Sequence, residues 1–96
     1  MNPNLIQLPR FRTAIENIQT TPINEIAWII SVSWEKPYFG AVPYIKAMQQ
    51  IYNVHDKYAY EDAESVIRYF LANASTWRGD VARLVKKELN NRLKSL

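Results

Sequence analysis

Residues 26–44, IAWIISVSWEKPYFGAVPY, constrain this chain more than any other stretch. The first half is the most apolar run of the protein, and the rest of the chain must cover it. The second half is a short loop between Pro37 and Pro43, with Tyr38, Phe39 and Gly40 inside it. That loop turns the chain back to supply the cover. Just upstream, Thr21-Pro22 is a helix start: a capping hydroxyl, proline at the first helical position, then Glu25 in the first turn. Ile23, Ile26, Ala27, Ile30 and Trp34 form one helical stripe, and Trp28, Ile29 and Val32 widen it until little is polar. A helix apolar nearly all round is a central, buried one. Ile30 to Trp34 also alternate as a half-buried strand does. The start signal, and the lack of a second strand to pair with, favour a helix over 22–35. Pro37 ends it by disfavouring helical geometry at Lys36.

The remaining helices follow from the same periodicity. Phe11, Ala14, Ile15 and Ile18 predict a helix over 10–19, entered through Pro9 and preceded by an extended arm over 1–9. Leu5, Ile6 and Leu8 of that arm are placed to pack down on the body. Gly40, between the two prolines, predicts a turn with positive φ. Pro43 opens a helix over 43–53, in which Tyr44, Ile45, Met48, Ile51 and Tyr52 line one side. Residues 54–60 read as a loop. Glu61, Asp62 and Glu64 favour a helix N-terminus, and Ala63, Val66, Ile67, Phe70 and Ala74 carry that helix over 60–73. After a short break at 73–76, capped by Ser75 or Thr76, the last helix spans 76–95. Trp77, Val81, Leu84, Val85, Leu89, Leu93 and Leu96 form its inner side; Glu64–Arg68 is an i, i+4 ion pair on an exposed face, and Glu88–Arg92 is another i, i+4 pair. The expected architecture is all-α, one domain of about five short amphipathic helices over 1–96.

Composition narrows the function classes. Ninety-six residues make one domain whose stability margin is thin. There is no cysteine, so disulfides, thiolate nucleophiles and cysteine zinc sites are all excluded. A cysteine-free domain of this size fits a reducing cytoplasm. The start, MNPNLIQLPR, lacks the basic-then-apolar pattern of a signal peptide. The apolar run at 26–34 is nine residues long and interrupted by serine, against the ~20 that a membrane span needs. No membrane partner is expected. Nor is a cofactor or metal, because Gly-rich phosphate loops, zinc motifs and nucleophile elbows are missing.

Three groups of residues are worth weighing as sites. Net charge is +3, yet residues 78–96 hold six basic and two acidic residues, leaving the remainder at −1. Arg83, Lys87 and Lys94 therefore form a basic face that either contacts nucleic-acid phosphates or is ordinary solvated surface at a helix C-terminus. In a sharper version the last two helices form a helix-turn-helix; against it, Gly79 falls inside the would-be recognition helix. His55-Asp56 with Glu61, Asp62 and Glu64 has acid–base or metal-binding side chains, but the acids are equally explained as helix-capping groups. Finally, Tyr38, Phe39, Tyr44, Tyr58 and Tyr60 flank one helix. Exposed, they make a binding surface; buried, they close the end of the bundle. Twelve aromatics and an all-round apolar helix are hard for one small bundle to hide. The expected function is thus a non-enzymatic protein-interaction module, with a protein partner or a homodimer contacting Trp28, Tyr38 and Phe39. Nucleic-acid binding through the last helix is the alternative.

Overall fold

The computed structural model describes residues 3–58 and 61–96. Five α-helices build the body: α1 (Pro9–Glu16), α2 (Ile23–Ser33), α3 (Val42–Met48), α4 (Ala63–Ala72) and α5 (Asp80–Lys94). The chain enters through a 3-10 helix, Pro3–Gln7, and a second 3-10 turn, Phe39–Ala41, runs directly into α3. Two minimal strands, β1 (Lys57–Tyr58) and β2 (Glu61–Asp62), pair antiparallel with Lys57 opposite Asp62. The molecule is a small all-α bundle in which α2 packs against α1, α3 and α5.

The apolar run is the centre of that bundle. Ile23, Ile26, Ala27, Ile29 and Ile30 have no exposed surface, and Trp34 is buried beyond the last turn of α2. Ser33 lies on the buried side of α2, where its hydroxyl has no access to water. Ser33 Oγ donates instead to Ile29 O at 2.6 Å. At the far end of α2 an aromatic group seals the core. Trp34 stacks on Trp77 with centroids 5.6 Å apart, and Phe70 meets both rings edge-on.

Several local expectations are corrected by tertiary contacts. The arm is a 3-10 helix rather than extended, and only Leu5 packs down, while Ile6 and Leu8 remain exposed. Helix α1 stops at Glu16, three residues early, because Thr21 turns backwards. Its hydroxyl reaches Ala14 O and Asn17 O, both at 2.9 Å, and does not cap α2. Pro22 occupies the cap position, and the Ile23 N–H is satisfied by Tyr52 O at 2.9 Å. Helix α3 ends at Met48 rather than near 53. Beyond it, Asp56 Oδ2 accepts from the Tyr52 and Asn53 N–H groups, holding those residues in a turn.

Helix α4 begins at Ala63, with Asp62 Oδ1 accepting from Ser65 N at 2.8 Å. That backbone bond, helped by the Ser65 hydroxyl, holds the Asp62 carboxyl below its ordinary range. A carboxyl depressed on folding supports the fold above its unfolded pKa and loses that support as pH falls through the folded value.

The two glycines exchange roles relative to expectation. Gly79, not Gly40, carries positive φ, at 111°. It breaks the chain ahead of α5, so that helix starts at Asp80 with no side-chain cap from Ser75 or Thr76. Trp77 therefore lies outside the helix and is buried by stacking, not by helical phase. Gly40 is favoured by space: a Cβ there would lie 2.6 Å from Tyr38 Cε2 and 2.7 Å from Asn73 Oδ1, so those side chains would have to shift.

Candidate interaction surfaces

The Tyr38–Phe39 pair stands at the top of α3. Residue 38 is extended and residues 39–41 form the 3-10 turn, closed by Ala41 N donating to Tyr38 O at 2.9 Å. Ala41 is fully buried beneath, so the turn is anchored to the core. From this fixed base the two rings project outward, their centroids 4.8 Å apart. Phe39 is 80% exposed and Tyr38 44% exposed. Tyr38 also lies beside Gly40 and the Asn73 side chain, whose Nδ2 donates to Tyr69 O. Tyr69 in turn stacks on Tyr44 with centroids 5.5 Å apart. The result is an edge of two separate aromatic pairs, Tyr38–Phe39 on the turn and Tyr44–Tyr69 across α3 and α4, with the Asn73 side chain bridging Gly40 and the Tyr69 backbone.

This edge overlaps only partly with the cluster read from spacing. Tyr38, Phe39 and Tyr44 belong to it. Tyr60 and the side chain of Tyr58 lie outside the described residues. Tyr69 is the member that sequence reasoning missed. Its signal was an aromatic one position off the apolar stripe of α4, where a polar residue is expected. Trp28 is occupied elsewhere. It meets Phe11 edge-on at 6.3 Å, and the Arg10 guanidinium lies 3.9 Å above its ring. Arg10 is itself held by two bonds to Glu25, at 2.6 and 3.1 Å, and this bond holds the Glu25 carboxyl below its usual range.

The basic face of α5 is real but uneven. Arg83, Lys87 and Lys94 are all exposed. Arg83 is paired with Asp80 one turn earlier. A second basic group lies on the adjoining side, where Arg78, Arg83 and Lys86 line a cleft of about 220 Å3 with Trp77. Lys86 donates to Trp77 O at 2.5 Å, and burial together with the neighbouring Arg78 charge pulls its pKa down. The helix-turn-helix variant, already disfavoured by Gly79, also fails on length: α4 ends at Ala72 and α5 starts at Asp80, too long a connection for that motif's tight turn.

The Glu88–Arg92 pair expected from i, i+4 spacing is formed, and it is buried, with Glu88 only 7% accessible. Arg92 Nε donates to Glu88 Oε2 at 2.6 Å, while Arg92 Nη2 donates to Ile18 O at 2.8 Å and Thr21 O at 2.6 Å. One guanidinium thus clasps the C-terminal helix to the α1–α2 turn.

The acidic group near His55 serves the backbone. Asp56 closes the turn after α3, Asp62 caps α4, and Glu64 pairs with Arg68 at 2.8 Å. The Glu61 side chain lies outside the described ones. Among the described residues, no three His, Cys, Asp or Glu side chains are grouped to hold a metal ion, and no helix is long and apolar enough to cross a membrane. No protein-family model, curated protein or solved structure matches this chain.

Proposed function

We propose that this protein is a non-enzymatic cytoplasmic interaction module that works as a homodimer, with Tyr38 and Phe39 at the contact. The observation that carries this reading is the exposure of Phe39, 80% on a turn whose neighbour Ala41 is fully buried. A large apolar ring held rigidly in water costs little entropy to dock and gains its full burial on contact. Tyr44 and Tyr69 extend the same edge, and tyrosine-rich surfaces are favoured at interface centres. The perturbed titrating groups fit a non-catalytic role, since each serves a structural contact: Glu25 with Arg10, Asp62 at its cap, Lys86 on Trp77 O. Trp28, already covered by Arg10, contributes less than spacing implied.

Light scattering on a sizing column tests this reading directly. The unmodified protein is expected to run as a dimer at tens of micromolar, and Phe39→Asp as a monomer. Because Phe39 is exposed within its own chain, that variant should keep the parent's helical circular dichroism as a folded monomer. A monomeric parent protein would refute the reading.

A second reading is favoured by the exposed cations of α5. Arg83, Lys87 and Lys94, four and seven residues apart, offer a basic strip to a phosphate backbone. Gel shifts on random DNA and RNA decide it. Binding would fall steeply with salt and vanish when all three are replaced by Gln, with the helical circular dichroism retained. No shift at low salt leaves these groups as solvated surface.

A further inference from the structure

The cleft beside Trp77 gathers positive charge that its own lining does not neutralise. Trp77, Arg78, Gly79, Ala82, Arg83 and Lys86 line it, three cations with no acid among them. Arg83 and Lys86 stand three residues apart on α5 and so share one side of that helix. Arg78 joins them from outside the helix, because the left-handed Gly79 breaks the chain just ahead of α5. Arg83 is paired with Asp80, which lines the neighbouring cleft together with Glu35. Arg78 and Lys86 have no carboxylate partner among the described residues. Two uncompensated positive charges therefore face one cleft.

Lys86 carries the mark of that crowding. Its side chain is half-buried, and burial, then repulsion from Arg78, pulls its pKa down. The ammonium donates to Trp77 O, which holds the group at the cleft and leaves two of its three donors for other acceptors. An anion placed between Arg78 and Lys86 turns a repulsive pair into an attractive set.

The same residues narrow the kind of anion. A phosphoryl group carries about −1.5 to −2 charges at pH 7 and matches two free cations, whereas a carboxylate carries half of that. The planar guanidinium of Arg78 offers the paired N–H bonds that phosphate oxygens accept. Trp77 is only 3% exposed, so it presents no ring face on which a base could stack. The volume, about 220 Å3, is far more than a single water requires and admits a phosphoryl group.

We infer that this cleft binds a phosphate dianion, either free or as the phosphomonoester end of a small molecule, through Arg78 and Lys86 with Arg83 beside them. The inference does not depend on self-association or on the strip formed by Arg83, Lys87 and Lys94.

Titration of the full chain with inorganic phosphate, followed by NMR, tests it. Phosphate should shift the Gly79 and Ala82 amides saturably and raise the Lys86 pKa, because a neighbouring dianion favours the charged ammonium. Acetate should bind about tenfold more weakly, having one charge and no third oxygen. Glycerol 3-phosphate separates the two sources: tighter binding than phosphate marks a phosphomonoester, and equal or weaker binding marks the free ion. Arg78→Gln, at an exposed position outside the helices, should keep the helical circular dichroism and weaken phosphate binding about tenfold. Lys86→Gln should weaken it to a similar extent. The double variant Lys87→Gln with Lys94→Gln removes two charges that do not line the cleft, and affinity should stay within about twofold of the parent. Losses of equal size in all these variants, or amide shifts that never saturate, mark general charge attraction and overturn the inference. A Lys86 pKa that phosphate leaves unchanged overturns it as well.

Discussion

Replacing Arg92 by methionine should cost about 3–5 kcal/mol of folding free energy, the range for breaking a buried ion pair from one side. The loss has two parts. Glu88 stays buried with its charge uncompensated, since Arg92 is the partner that holds its Oε2. The carbonyls of Ile18 and Thr21 also lose their donor, although they lie in the turn that sets α1 against α2. Lysine at this position should recover little, because three separate bonds are made by one planar fork that an ammonium does not reproduce. The double variant Glu88→Leu with Arg92→Met should regain a good part of the loss by removing the stranded charge. It should not regain all of it, because the two carbonyls remain unpaired. Urea titrations of the four proteins measure each step. If Arg92→Met unfolds at the same urea concentration as the parent, the clasp does not couple the two ends of the chain.

Ile30→Ala should cost about 2–5 kcal/mol, against a total stability of ~5–15 kcal/mol for a domain. Ile30 has no exposed surface and belongs to α2, which packs against α1, α3 and α5. A cavity at that crossing cannot close without moving several helices, which is the condition under which truncation is most costly. Ile30→Val should cost only ~0.5–1.5 kcal/mol. The exposed Ile6 is the control: Ile6→Ala should stay within about 0.5 kcal/mol, although both are isoleucine to alanine changes. Equal effects at positions 6 and 30 would contradict the central placement of α2.

The aromatic edge was half legible. Apolar spacing around 26–44 implied that Tyr38 and Phe39 lie near an end of the bundle, and two prolines implied a rigid loop. Spacing had no way to show that Asn73, from the end of α4, comes within van der Waals reach of Gly40 and so joins Tyr69 to the same edge.

Periodicity and proline placement were enough to establish five helices, an all-α bundle and the burial of Ile26, Ile30 and Trp34 at its centre. Those properties are local: a stripe of apolar side chains has one way to escape water, whatever its neighbours are. The ends of the helices and the fate of polar groups were decided by the tertiary structure. Thr21 looks forward as a helix cap in the sequence, yet its hydroxyl turns back to α1 once Tyr52 supplies the acceptor for Ile23 N–H. Glu88 and Arg92 read only as a pair at helical spacing, yet the carbonyls of Ile18 and Thr21 arrive from more than 70 residues away and make a buried clasp of them. A backbone donor or acceptor must be satisfied by whichever partner is nearest in space, and nearness in space is set only when the helices have packed.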